Sequence, residues 1–162
     1  MAAARRFGMQ VLIRRAREQD AAALSQLMHE SRAYAGPYAC ILRGYQVKAE
    51  QIRRDLVFLA EDLVNVWGFY SLTWTVRVSE LDLFLVRDEA QGRGLGAALF
   101  AHLKTQAAEH GLQAIRIVSH PPAEGFYLRM GAMRIGITDP CPRVPWSRPI
   151  LYLKIGAEDG NA

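Results

Sequence analysis

The chain has no hydrophobic run approaching the roughly 18 residues of a membrane-spanning helix, and no bilayer span is expected. Cysteine is scarce. Cys40 and Cys141 lie far apart and in no metal-ligand or redox spacing, which excludes a disulfide framework, leaves no expectation of a metal and fits a reducing, cytoplasmic setting. The arginines (Arg5, Arg6, Arg14, Arg15, Arg17, Arg53, Arg54, Arg93 and Arg143 among them) are scattered, with no dense basic cluster interleaved with aromatics. The net charge of +4 therefore reads as a mildly basic surface suited to anionic ligands, and nucleic acid is not expected as a partner. The opening "MAAARRFGMQVLIRRA" lacks an apolar segment of useful length and reads as a frayed lead-in, not a signal peptide. There is no internal repeat or low-complexity segment.

What is present is an ordinary globular composition. With 51% hydrophobic and 22% charged residues over 162 positions, one domain with a full core is expected. Its boundaries are placed at a flexible lead-in over 1–9, a domain over 10–157 and a tail over 158–162. Gln10–Ala16 reads as a strand, and Glu18 and Asp20 open a helix to about Ser31. Tyr34–Tyr45, with Gly36-Pro37, reads as a loop or short helix, and a second helix is expected from Val47 to Arg54. Leu56–Leu63 and Asn65–Val78 read as a hairpin turning near Glu61–Asn65, and Glu80–Val86 as a further strand. A helix comes next with Leu95, Ala98, Leu99, His102 and Leu103 on one face, closed by Gly111. Leu112–Ser119 is a strand, Pro121–Arg129 a short helix, and Ala132–Thr138 and Pro149–Ile155 are strands flanking a Pro-rich loop. The order β-α-α-β-β-β-α-β-α-β-β describes an α/β fold, a single domain with a mixed central sheet flanked by helices.

The stretch "DEAQGRGLGAALF", Asp88–Phe100, places three glycines directly before a helix. A helix N-terminus offers unpaired N–H groups and partial positive charge, which suits a phosphate. A P-loop is excluded because no Lys-Ser or Lys-Thr follows the glycines. The dinucleotide pattern G-x-G-x-x-G/A is matched literally by Gly92–Ala97, but its context fails. "RDEAQ" separates strand from glycine, and the next strand ends in Ser119-His120 where an acidic residue is required. What is left is a diphosphate held by successive N–H groups, with Gln91, Gly94 and Gly96 spaced around it and Arg93 at the rim. Close packing alone would cost about 1 kcal/mol per glycine against alanine, so ligand binding is the reading adopted.

These residues resemble the GNAT superfamily of N-acetyltransferases. The resemblance rests on the strand Phe84-Leu85-Val86, the loop Gln91-x-x-Gly94-x-Gly96 and the segment Phe126-Tyr127-x-x-x-Gly131-Ala132, in that order, and on the element order of nearly the whole chain. It implies acetyl-CoA as co-substrate and a GNAT-like fold. The diphosphate would lie on the N–H groups of Gly92, Arg93, Gly94, Leu95, Gly96 and Ala97, and the pantetheine arm along the free edge of Phe84, Leu85 and Val86. An open sheet edge has unpaired N–H and C=O groups to meet two amides. Amine attack on a thioester needs a base, an oxyanion donor and an acid for the thiolate. The resemblance assigns the acid to Tyr127 and the oxyanion donor to the N–H of Val86. For the base, Glu80 matches a glutamate that some members carry, and Asp82 falls on the same face by alternation; the choice stays open, with a water relay in either case. Where many members have an Asn contacting CoA, this chain has His120, which is kept as a CoA-binding candidate or a base. His29, His102 and His110 read as structural or solvated.

The resemblance places the acceptor pocket between Tyr34–Tyr45 and Asp139–Pro149, with Tyr34, Tyr38, Tyr45, Cys141 and Trp146 as its aromatic and apolar wall. Such a wall suits a small amine of hydrophobic or delocalised cationic character. The expected function is N-acetyl transfer to a primary amine of a small molecule. A protein N-acetyltransferase and a non-catalytic acyl-CoA-binding module are the alternatives, and a homodimer is left open.

Overall fold

The computed structural model describes residues 3–4, 10–74 and 78–156. The expected tail and most of the expected lead-in lie outside them, as does 75–77 of the expected hairpin. In chain order the elements are β1 (Ala3–Ala4), β2 (Val11–Arg15), α1 (Ala21–Glu30), α2 (Ala49–Arg54), β3 (Leu56–Glu61), β4 (Val66–Leu72) and β5 (Ser79–Val86). They continue with α3 (Leu95–Glu109), β6 (Ala114–Val118), α4 (Glu124–Arg129), β7 (Met133–Ile137) and β8 (Pro149–Lys154). The eight strands form one sheet in the order β1-β2-β3-β4-β5-β6-β8-β7. Every pairing is antiparallel except β5 with β6. The expected mixed sheet is thus present, with β1 as a two-residue addition from the lead-in.

Helices cover both faces. On one, Leu95, Leu99, Phe100 and Leu103 of α3 and Tyr127 of α4 pack against Phe58, Tyr70, Ile115 and Leu151. On the other, Leu24, Leu27 and Met28 of α1 and Ile52 of α2 pack against Val57, Leu59 and Phe69. Covered on both sides, β3 buries Leu56 through Ala60 without interruption, which is why its sequence is apolar and not alternating.

Local chemistry moves two boundaries and fixes a third. α2 begins at Ala49 and not Val47, because the Val47 peptide is committed to α1: its N–H donates to Ser25 Oγ at 2.9 Å, and that hydroxyl faces its C=O at 3.3 Å. β4 ends at Leu72, short of the expected Val78. The Thr73 hydroxyl accepts the Glu80 N–H at 2.9 Å and so replaces a ladder partner. The turn between β3 and β4 is where it was expected, with Asp62 Oδ1 accepting the N–H groups of Val64 and Asn65, both at 2.8 Å.

A register shift interrupts the β4–β5 pair. Ser71 is opposite Leu83 and Leu72 opposite Leu81, so Asp82 is an extra residue, a β-bulge. The bulge changes faces: Leu81 lies in the α3 and α4 core, whereas Leu83 and Leu85 lie in the α1 and α2 core. Without it, simple alternation would put all three on one face. Nearby, Gly68 lets α3 approach the sheet. A Cβ there would meet Leu85 O at 2.8 Å and Leu99 Cδ1 at 2.9 Å. Gly68→Ala is expected to destabilise the fold by about 1–3 kcal/mol, read from the midpoint of urea unfolding.

Candidate active site

β5 and β6 pair only through Ser79↔Ile115 and Glu80↔Arg116. Beyond these the strands separate, and the rest of β5 has an open edge toward β6. Arg87 N–H donates to Trp67 O of β4 at 2.8 Å. By alternation, Val86 and Phe84 then direct their main-chain groups to the open edge, while those of Leu85 point to β4. The Leu85 side chain is also buried, in the α1 and α2 core. Of the three strand residues expected to meet a ligand, Phe84 and Val86 are presented to the gap and Leu85 is not. The Val86 C=O accepts Gln91 Nε2 at 3.2 Å, so Gln91 braces the end of β5.

The glycine loop stands at the end of this gap. Gln91, Gly92, Arg93 and Gly94 are exposed. Gly94 caps α3 with φ +83°, and Gly92 has φ +73°. Among the described residues, no hydrogen bond is donated by the main-chain N–H groups of Gly92 to Ala97. Six donors are therefore left without a protein partner among the described residues at the positive end of a 15-residue helix. The glycines themselves serve two purposes. Gly92 and Gly94 allow the left-handed backbone that exposes the donors. Gly96 is a packing glycine, since a Cβ there would meet the Phe126 ring at 3.2 Å and Val86 Cγ2 at 3.8 Å. Close packing, set aside on sequence grounds, thus accounts for one of the three.

That contact brings α3, α4 and the end of β5 together. Tyr127 is 7% exposed among Phe84, Phe100 and Phe126, with ring centroids 6.2, 6.1 and 5.4 Å away. Among the described residues its hydroxyl has no hydrogen-bond partner. Burial raises its pKa well above the ordinary phenol value, with the neighbouring Tyr34 adding to the effect. The hydroxyl is held protonated, the state a proton donor needs.

The two carboxylates differ. Glu80 is paired with Arg116 at 2.9 Å. Asp82, on the bulge, accepts at Oδ2 from the Tyr45 hydroxyl at 3.2 Å and from Gln51 Nε2 at 3.0 Å. Its pKa is raised, first by burial, then by Asp55 and Glu80, against the lowering bond from Tyr45. Tyr34 is raised as well, by burial and by the charge of Asp82.

The aromatic residues expected in the acceptor wall are largely gathered. His120 sits against Tyr34 (centroids 4.8 Å) and Tyr38 (4.4 Å), and Tyr38 against Trp146 (5.0 Å). His120 Nε2 bonds Ala33 O at 2.6 Å, tying the Arg32–Tyr34 turn to the chain beyond β6. Burial lowers the pKa of His120, which keeps it neutral, so Nε2 carries the proton in that bond. His120 is thus placed in the aromatic wall. Cys141 is exposed in the β7–β8 loop. His29, His102 and His110 contact Tyr45 O, the Tyr70 hydroxyl and Gln106 O.

Residues 42–137, more than half of the chain, match the family model described as an acetyltransferase (GNAT) domain. The chain belongs to this family. It is an acyltransferase. Solved GNAT structures share its fold at low identity. The ribosomal-protein-S18-alanine N-acetyltransferase from Escherichia coli aligns with a TM-score of 0.70 and 18% identity, over 94% of this chain and 99% of that one. The PaiA N-acetyltransferase from Thermoplasma acidophilum, in complex with coenzyme A, gives 0.77 and 21%, over 90% and 99%. An aminoglycoside 6'-N-acetyltransferase complexed with coenzyme A gives 0.70 and 14%, over 91% and 98%. A comparison with curated proteins finds no match in sequence.

Three features of this GNAT site escaped the sequence reading: the bulge at Asp82, the Arg116 partner of Glu80, and Gln51. The only signal for Arg116 was a charge inside an otherwise apolar strand. For Gln51 and the bulge there was none, because both depend on which residues face each other across elements. The dual use of the glycines is testable. A Cβ at Gly92 meets nothing within 4 Å, so only φ opposes it. Gly92→Ala is expected to cost about 1 kcal/mol in thermal unfolding and Gly92→Asn clearly less.

Proposed function

We propose that this GNAT enzyme transfers the acetyl group of acetyl-CoA to a primary amine of a small molecule. The observation that carries the reading is the convergence of three features on one gap. These are the six N–H groups of Gly92 to Ala97 and the hydroxyl of Tyr127, all without a partner among the described residues, and the open edge of β5 at Phe84 and Val86. The donor row suits an anionic diphosphate, with Arg93 adding charge at its rim. The edge suits a chain bearing amides.

When bound, acetyl-CoA supplies a thioester. The neutral amine nitrogen forms a bond to its carbonyl carbon and releases one N–H proton, the carbon–sulfur bond breaks, and the departing sulfur takes a proton from a donor that the released one restores. The Val86 N–H, directed into the gap, is the donor to the developing oxyanion. Tyr127 gives the proton to sulfur: a phenol is protonated at neutral pH, burial only reinforces that state, and its hydroxyl has no competing partner among the described residues. Asp82 is the preferred base. Its pKa lies above the ordinary carboxylate range, and Glu80 is committed to Arg116. An acceptor ammonium would lose its proton to Asp82, directly or through water. The joined aromatic wall of Tyr34, Tyr38 and Trp146, with Asp82 nearby, supports a compact cationic amine as acceptor.

Calorimetric titration tests the donor. Acetyl-CoA is expected to bind and NADPH not to, and Gly94→Trp is expected to abolish binding; binding of NADPH alone would overturn the reading. Turnover is then measured with aliphatic, aromatic and polycationic primary amines, an alanyl peptide serving as the protein-like acceptor. With the best of these, Tyr127→Phe is expected to lower kcat about 100-fold while leaving acetyl-CoA binding unchanged. Equal loss of binding and turnover would remove Tyr127 from the acid role.

A further inference from the structure

Gln51 is a polar side chain that α2 buries, at 8% exposed, while the neighbouring Arg53 and Arg54 face solvent. A buried amide must find partners or cost free energy. Its Nε2 donates to Asp82 Oδ2 at 3.0 Å and to Ser71 Oγ at 3.2 Å, and its Oε1 lies 3.5 Å from the Tyr45 hydroxyl oxygen, whose one proton goes to the nearer Asp82. That hydroxyl lies 3.2 Å from the same Asp82 Oδ2. Groups from α2 and from the chain preceding it therefore meet on one carboxylate oxygen. The oxygen belongs to the residue that the bulge removes from the regular ladder, so side-chain bonds orient it where register would otherwise do so. Among the described residues, Oδ1 has no partner.

We propose that Gln51 is a positioning residue for acyl transfer: together with Tyr45 it clamps Oδ2 of Asp82, favours the ionised carboxylate, and leaves Oδ1 as the atom that takes the acceptor's proton. The inference rests on Asp82 being the base. In the step concerned, the ammonium gives one proton to Oδ1, directly or through water. This leaves a neutral amine with a free lone pair and a carboxyl that then returns its proton to solvent. The charges and titratable groups around Asp82 come from several elements. Asp55 at the end of α2 and Glu80 on β5 push its pKa up, Arg54 on α2 pulls it down, the Tyr45 hydroxyl donates to it, and Tyr34 feels its charge. Arg116 is engaged with Glu80. Burial is the largest influence and acts upward, and the hydrogen bond from Tyr45 opposes it; the Gln51 amide N–H, 3.0 Å from the same Oδ2, acts in the same direction as Tyr45 by favouring the charged form. Removing that donor must raise the pKa further.

The test is a carbon-13 NMR titration of protein labelled at its aspartate carboxyls, the Asp82 signal being assigned by its loss in Asp82→Asn. Gln51→Met keeps volume and loses the hydrogen bonds that Nε2 donates to Asp82 and Ser71; Tyr45→Phe removes the other donor to Asp82 and carries the test where Gln51→Met does not fold. Each is expected to move the Asp82 titration upward by about half to one pH unit. The acid limb of kcat/KM, measured with the panel amine of highest turnover, should rise by the same amount, with KM for acetyl-CoA unchanged. An Asp82 titration unmoved in both variants overturns the inference while leaving Asp82 as base. An acid limb that persists in Asp82→Asn overturns the base assignment, and the role of Gln51 with it.

Discussion

The parallel pairing of β5 with β6 lasts for two residue pairs, and the candidate site is built where it stops. A sheet that stayed closed would satisfy the main chain of β5 on both edges and leave nothing for a ligand to pair with. Opening it exposes backbone, which in a fold without compensation invites collapse or aggregation. Here the two halves are held apart by structure on either side. Gly96 seats α3 against Phe126 and Val86, closing the far end of the gap with packed aromatic rings. At the near end, the Glu80–Arg116 ion pair spans the last residues that still share a ladder. That pair is nearly half exposed, so its Coulomb contribution is small, and geometry is its main effect.

The bulge at Asp82 is the companion device. One extra residue on β5 transfers Leu83 and Leu85 from one core to the other and brings a carboxylate toward Tyr45 and Gln51. The same local irregularity thus bends the strand and carries the proposed base. Ordinary pairing would have placed a leucine or a carboxylate at that point, but not both cores and the acid together.

How much of this was legible in the chain depends on the range of each interaction. The glycine loop, its helix and Tyr127 were readable because they depend on spacing within a few residues and on a three-dozen-residue motif pair. The element order was readable for the same reason, and its errors fell at ends such as Val47 and Thr73, where one hydroxyl outcompetes the ladder or the helix. Gly96 was read as a ligand glycine because a sequence shows that a Cβ is missing, not what would occupy its place. Leu85 was grouped with its neighbours because adjacent strand residues look alike until the hydrogen-bonding edge of each is known. The bond from His120 to Ala33 joins positions 87 apart, and no local pattern announces it.

His120 also shows how a departure from the family pattern can be absorbed. The position where many members have Asn is here filled by an imidazole whose ring packs between two tyrosines and whose Nε2–H is spent on a carbonyl of the opposite wall. Its other nitrogen is buried without a partner among the described residues, and burial holds the ring neutral. A base must be able to gain a proton and shed it to solvent. A ring whose charged form is disfavoured by burial, and whose exchangeable N–H is already bonded, meets neither condition well. Asp82, unpartnered at one oxygen among the described residues and held at the other, meets both. In the proposed reading, the proton chemistry of the site is divided between a carboxylate on the bulge and a phenol on α4, each raised from its ordinary value, with Tyr34 sensitive to the first and adjacent in effect to the second. Both groups are pushed upward mainly by partial removal from water, the carboxylate starting below neutral pH and the phenol above it.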